Sequence, residues 1–289
     1  MKVTNRLGLP EAFLVYASKD EHEYKEHRYS VTELLLPTRE ILLNRLHAKD
    51  IEIDVADVVP ALFGTAVHRI LEDSTPLLEH LNSEMKIEMM FGEDTVSGRI
   101  DLFDSKELEI IDYKTCSTSK VMKEDFEDFR FQGLAYAYGI FKRYGIITKR
   151  LKFPCLMKDW SKLKAANQSG YPQSPVYIWR YELQDSDYDH IENLIKLKLL
   201  EINTAIESGR LPLCTDEERW YTGTKYAVFK KAHAYNNGRA AYVTDSEEDA
   251  HNYITHKCDG AGEIEVRKGE YLKCKYYCNV SKFCRKGGE

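Results

Sequence analysis

The chain has 289 residues, 43% of them hydrophobic and 30% charged, which is the make-up of a folded globular protein of one large domain or two small ones. No run approaches the ~20 apolar residues of a membrane-spanning helix, and Met1–Arg6 lacks the apolar stretch of a signal peptide, so a cytoplasmic protein with no membrane partner is expected. The net charge of −6 argues against an all-over basic coat for nucleic acid but leaves room for a local basic groove beside an acidic site.

Residues 1–29 are polar and charged, with the run Lys19–Glu23 at their centre, and read as a loosely structured lead-in. Ser30-Val31-Thr32-Glu33 has the form of a helix start, and Pro37 opens a second helical stretch over Thr38–Leu46. Ala61–Glu72 predicts a helix with Phe63, Val67, Ile70 and Leu71 on its apolar side. His68 and Glu72, four apart, share another face of it. Met85–Phe91, Val96–Phe103 and Leu108–Lys114 then read as three strands of an antiparallel meander. A long amphipathic helix is expected over 120–144, strands over Leu151–Met157 and Val176–Leu183, and a last long helix over Asp187–Ser208. The order helix, three strands, helix, strands, helix predicts an α/β sandwich with a central mixed sheet flanked by helices.

The chemistry concentrates in two short segments. Gly98-Arg99-Ile100-Asp101 ends one strand pattern, and Ile111-Asp112-Tyr113-Lys114 ends the next. Period-two geometry sets Asp112 and Lys114 on one face. Two carboxylates and an ammonium converging at a sheet edge can hold a hard divalent cation beside a phosphate, which points to phosphodiester hydrolysis. Asp101 and Asp112 are the candidate carboxylate ligands, and the Tyr113 backbone carbonyl is placed to join them. Lys114 is the candidate for orienting the water or stabilising developing charge. His68 is a candidate nitrogen ligand, which would favour Mn²⁺ over Mg²⁺. A strand ending in Asp-x-Lys is common, and a lone helix histidine is more often a packing residue. The weight lies in the ordered set: Gly-x-x-x-His-x-x-x-Glu, Gly-x-x-Asp, Ile-Asp-x-Lys, then Gln132-x-x-x-Tyr136.

That set, from Ser30 to Tyr138, resembles the PD-(D/E)XK nuclease superfamily in its RecB-like exonuclease branch. The resemblance implies a restriction-endonuclease-like sandwich and a metal-dependent DNA nuclease, an exonuclease of recombination, repair or replication. It implies catalytic roles for Asp101, Asp112 and Lys114, with a Mg²⁺ or Mn²⁺ site of His68, Asp101, Asp112 and the Tyr113 carbonyl. Gln132 and Tyr136 would lie beside the site, touching the substrate strand or steadying Lys114, and Glu88 would support it. Asp112 stands where many relatives have glutamate, a shorter but competent ligand. With no helicase module, any unwinding or single-strand annealing partner would be a separate protein. The arrangement is similar to phage-encoded nucleases, which would place it in a host cytoplasm. The alternative is a non-catalytic DNA-binding or assembly protein that keeps the nuclease fold as scaffold.

Seven cysteines without a secretion signal argue against a disulfide framework. Cys274, Cys278 and Cys284 are spaced for a tetrahedral metal or an iron–sulfur cluster. Cys214 is the preferred fourth ligand and Cys258 the second choice, while Cys116 and Cys155 read as small buried residues. The tail resembles iron–sulfur nucleases of CRISPR adaptation and of recombination helicases, which implies a 4Fe–4S cluster with zinc as the alternative. In those proteins the distant cysteine precedes the nuclease motifs, whereas this chain has none before Cys116. The expected organisation is a lead-in over 1–29, a nuclease core over 30–209 and a cysteine-ligated extension over 210–289. Two clusters mix cations and aromatics as a nucleic-acid surface would. One is Lys225, Lys230 and Lys231 with Tyr221, Tyr226 and Phe229; the other is Lys142, Arg143, Lys149, Arg150 and Lys152.

Overall fold

The computed structural model describes residues 2–18, 24–74, 79–230 and 238–284. The chain divides into two units, Met1–Pro212 and Leu213–Glu289. The first begins with β1 (Lys2–Thr4), α1 (Glu11–Ser18) and β2 (Arg28–Ser30), so much of the segment read as a loose lead-in is regular structure. β1 pairs in parallel with β3 (Glu52–Asp54), and β2 joins the main sheet. The charged run Lys19–Glu23 lies outside the described residues.

Local signals account for the next elements. Ser30 Oγ accepts from Glu33 N at 3.0 Å and Glu33 Oε2 from Ser30 N at 3.4 Å, a reciprocal pair of bonds that leads into a single 3-10 turn over Glu33–Leu35 where the sequence suggests a helix. Pro37 then starts α2 (Thr38–Leu46), as the sequence predicts. The helix expected from Ala61 begins earlier, as α3 (Val55–Ser74), because Asp54 caps it by accepting from Ala56 N at 3.1 Å. Pro60 lies within the helix.

The hairpin of β4 (Leu81–Phe91) and β5 (Asp94–Asp104) follows, then the short strands β6 (Glu109–Ile111) and β7 (Lys114–Cys116). The single helix expected over 120–144 is two, α4 (Thr118–Met122) and α5 (Glu127–Tyr144). Glu124 between them has φ 53, outside right-handed helix geometry. The break lets Phe126 turn inward against Phe129, Tyr177 and Trp179. β8 (Arg150–Met157), α6 (Lys162–Asn167), β9 (Val176–Glu182) and α7 (Asp185–Ser208) complete the unit.

These strands form a seven-stranded mixed sheet. β4 runs antiparallel along β5 on one side. On the other, β2 pairs in parallel with Thr95–Ser97 and β6 antiparallel with Leu102–Asp104. β6 and β7 both lie parallel to β8, and β9 is its antiparallel neighbour. α5 lies against β4, β5, β6 and β8, α7 lies against α5 and α2, and α3 meets β7. The approach of α5 to the sheet is close: a Cβ at Gly139 would fall 2.3 Å from Ile87 Cδ1, and one at Gly133 would fall 2.6 Å from Leu151 Cδ1. Phe103, Phe153, Ile87, Ile100, Ile110, Ile140 and Leu151 fill the core between these layers.

The second unit holds β10 (Lys225–Phe229), β11 (Tyr242–Thr244), α8 (Glu247–Lys257) and β12 (Glu263–Arg267). Its antiparallel sheet has the order β11-β10-β12, and Val228, Ala250 and Cys258 form a small core. The three strands were not legible in sequence, because three to five residues span too few alternations to show a period; α8, opened by Ser246 accepting from Asp249 N, was missed although its cap is a local signal. Among the described residues no helix is long and apolar enough to cross a membrane.

Candidate active site

The site forms where the sheet splits. β5 pairs with β6 only from Leu102 onward. On its other side the register passes from Ser83↔Leu102 to Met85↔Ile100, skipping Asp101, and Glu84 there has φ 55. The strand expected over Leu108–Lys114 is interrupted at Asp112 and Tyr113: Asp112 N still donates to Lys152 O at 3.0 Å, and pairing with β8 resumes at Lys114. Tyr113 N, free of any ladder, donates instead to Asp101 Oδ2 at 3.0 Å. This bond bridges the split and fixes the two aspartates against one another.

Lys114 Nζ lies 2.5 Å from Asp112 Oδ2 and donates to Gln132 Oε1 at 2.8 Å. Gln132 Nε2 in turn donates to Tyr136 Oη at 2.8 Å and more weakly to Asp112 Oδ1 at 3.4 Å. The amide orientation is thus set by its partners: its oxygen must face the ammonium and its nitrogen the acceptors. The rings of Phe129 and Phe153 sit 5.7 Å from Lys114 Nζ and give the lysine an apolar floor. Asp112 is 1% exposed. Burial pushes its carboxyl pKa up to about 6, against the attraction of Lys114 and together with the charge of Asp101. Gln132 and Tyr136 are buried as well. Their observed partners are Lys114, Asp112 and each other.

His68, on α3, places Nδ1 3.3 Å from Asp101 Oδ2 and its ring edge-on to Tyr113, with centroids 6.4 Å apart. The hydrogen bond to Asp101 raises the imidazole pKa, partly opposed by burial. A metal binds the neutral imidazole. The side chain of Glu72 lies outside the described residues. Glu88 is exposed and ion-paired with Arg28 of β2.

The donors suit a hard cation in one specific respect. Asp112 Oδ2 is buried, and its close neighbour is the Lys114 ammonium at 2.5 Å. A carboxylate that already faces one cation sits in a site built for positive charge, and carboxylate and carbonyl oxygens match Mg²⁺ or Mn²⁺. Among the described residues, no three His, Cys, Asp or Glu side chains are gathered closely enough to hold a metal ion by themselves.

The cysteines fall into two groups, none in a disulfide. Cys116, Cys155 and Cys258 are buried, Cys258 within the small apolar core of the second unit. Cys214, Cys274, Cys278 and Cys284 are half-buried, and Arg219 hydrogen-bonds Cys274. Of the basic clusters noted in sequence, Lys225 pairs with Asp245, Phe229 is buried, Tyr221 packs on Tyr271, and Lys231 lies outside the described residues. In the other cluster Arg150 is 2.6 Å from Glu107 and Lys152 is 2.6 Å from Glu109, so those cations are already neutralised.

No protein-family model matches the chain, and none of the curated proteins compared with it matches either. Among solved structures it is similar to SSO0001, with 14% identity and a TM-score of 0.48 over 66% of this chain and 85% of that one. It is also similar to an alkaline exonuclease from Laribacter hongkongensis, with 11% identity and a TM-score of 0.34 over 70% of this chain and 96% of that one. A third likeness is to a phage-related exonuclease from Haemophilus somnus, with 10% identity and a TM-score of 0.33 over 69% of this chain and 82% of that one.

Proposed function

We propose that this protein is a metal-dependent DNA nuclease of the PD-(D/E)XK type, in the RecB-like exonuclease branch, acting in recombination, repair or replication. The supporting observation is the meeting of Asp101, Asp112 and a directed Lys114 at the split between β5 and β7. Asp101, Asp112, the Tyr113 carbonyl and deprotonated His68 are the groups that would hold Mg²⁺ or Mn²⁺, with water completing the shell. A bound ion supplies Lewis acidity, lowering the pKa of an attacking water and neutralising charge on the phosphate.

Lys114 has three N–H bonds. One is taken by Gln132 and one faces Asp112, which leaves one for a phosphate oxygen or the attacking water. Gln132, held by Tyr136, keeps that bond aimed. The partner is DNA, and a helicase or single-strand annealing protein would act as a separate chain. Cys214, Cys274, Cys278 and Cys284 would carry a 4Fe–4S cluster, or zinc in its place. Burial of Cys258 in an apolar core favours Cys214 as the fourth thiolate.

The test uses anaerobically purified protein with 5′- and 3′-labelled single- and double-stranded DNA, with Mg²⁺ or Mn²⁺, and Lys114→Ala in parallel. Degradation by the wild type alone supports the reading, and the label pattern gives mode and polarity. No cleavage with either metal, while both proteins bind DNA equally, overturns it in favour of a scaffold.

A further inference from the structure

Three aromatic side chains of the second unit stand out into solvent: Trp220 at 48% exposure, Tyr276 at 63% and Tyr277 at 68%. Single exposed rings are ordinary on protein surfaces, but neighbouring ones ask for an explanation. The rings of Trp220 and Tyr277 lie 5.1 Å apart at 56°. The Lys275 ammonium sits 5.1 Å from the Tyr276 ring centroid and 2.8 Å from Glu270.

The backbone beneath these rings is tied down. The turn Lys273–Tyr277 is joined to the Trp220 segment by Leu272 N donating to Trp220 O at 3.3 Å and Lys273 N donating to Arg219 O at 3.1 Å. Tyr221 and Tyr271 pair as a β-bridge with rings 4.9 Å apart, and the Arg219 guanidinium lies 3.3 Å over the Tyr271 ring. Val280, 1% exposed, anchors the chain beyond the turn. Rings on such a frame lose little conformational entropy when something stacks on them.

Charge identifies the occupant. Between 267 and 286 the sequence has seven basic residues and one acid; Arg267 is paired with Glu265 and Lys275 with Glu270, and the segment still carries an excess of positive charge in a chain whose net charge is −6. A cationic segment bearing exposed rings fits a polyanion with accessible π-faces. Single-stranded nucleic acid is that polymer, because a duplex keeps its base faces stacked on one another. We propose that Trp220, Tyr276 and Tyr277 form a stacking platform for single-stranded DNA in the C-terminal unit. The choice of DNA rests on the nuclease reading above; the platform itself does not depend on cleavage. It binds without sequence preference, since every base offers a π-face.

The experiment uses the full chain in EDTA, where hydrolysis is off, with a fluorescein-labelled oligothymidylate and a duplex of the same length read by anisotropy. The wild type should bind the single strand more tightly than the duplex and lose affinity with added salt. Tyr276→Ala combined with Tyr277→Ala should weaken single-strand binding about 100-fold, roughly tenfold per ring. The Tyr276→Phe/Tyr277→Phe pair should retain it. Trp220 emission should be quenched by the oligonucleotide, and Trp220→Phe should remove that quenching, a readout that stands even if the alanine pair fails to fold. Wild-type affinity in a folded alanine pair, equal losses in the alanine and phenylalanine pairs, or unquenched Trp220 each overturns the platform. A protein that cleaves DNA through Lys114 yet ignores the single strand in EDTA keeps its nuclease reading and loses this surface; binding without cleavage does the reverse.

Discussion

The Lys114 ammonium donates to Gln132 Oε1 at 2.8 Å, so an amide on α5 sets the direction of a cation on β7. The pair joins the helix layer to the sheet at the point where the sheet divides. Asp112 and Tyr136 complete the chain of contacts, and three of the four residues are buried.

If Gln132 acts by aiming Lys114, Gln132→Ala should leave DNA affinity nearly intact and lower the single-turnover cleavage rate about 100-fold, the scale of a misplaced catalytic group. Lys114→Ala should cost more, on the order of 1,000-fold, because it removes the charge itself. A Gln132→Ala protein cleaving at the wild-type rate would show that the amide has no positioning role.

Gly98 precedes Asp101 by three residues, and its lack of a side chain admits Tyr136. A Cβ there would lie 2.8 Å from Tyr136 Cε1 and 3.3 Å from Ile87 Cγ1. Gly98→Ala should therefore destabilise the fold by about 1–3 kcal/mol through overpacking, and should slow cleavage by displacing Tyr136. Urea denaturation and a rate measurement on the folded fraction separate the two effects.

Asp54 accepts from Arg6 N, Thr4 Oγ1 and Ala56 N, and these bonds, led by that of Arg6, hold its carboxyl below its ordinary value of 3.8. A carboxylate with a depressed folded-state pKa contributes stability that is complete above the unfolded value and fades as pH falls through the folded one. Asp54→Asn should therefore lower the urea midpoint at pH 6, and the wild type and variant should converge as the pH falls from the ordinary carboxylate value through the lower folded-state one. Parallel midpoints across that range would remove the carboxylate from the account.

The thiols divide into a half-buried candidate ligand set and buried packing residues. Cys274→Ser in anaerobically prepared protein should abolish a brown colour and an absorbance shoulder near ~400 nm, together with bound iron. Cys258→Ser should keep both and lose only some stability, since its thiol packs against Val228 and Ala250. Colourless wild-type protein containing stoichiometric zinc would replace the cluster with a zinc site.

Much of the first unit was legible because local rules acted alone there. The reciprocal Ser30–Glu33 bonds, Pro37 ahead of α2 and the strict alternation of β8 are short-range features, and each lies where the sequence points, although the Ser30 segment makes a 3-10 turn and not a helix. The break between α4 and α5 was hidden, because it is driven by burial of Phe126 among rings from β9, fifty residues away in the chain. The strands at the N-terminus were hidden for a related reason: β2 is three residues long and acquires its identity from pairing with β5.

The site shows the same division. Residue types and spacing were enough to bring Asp101, Asp112, Lys114 and Gln132 forward, because a charged group at the end of an apolar strand is conspicuous in one dimension. Their relations come from the assembled sheet. The interruption at Asp112 and Tyr113, the bridge from Tyr113 N to Asp101 and the burial of Gln132 and Tyr136 arise only once β5 and β7 diverge across β8 and α5 closes over them. Sequence periodicity is a property of one strand or helix, whereas a ladder that parts, a carboxylate buried against an ammonium and an amide turned toward that ammonium are properties of several elements packed together.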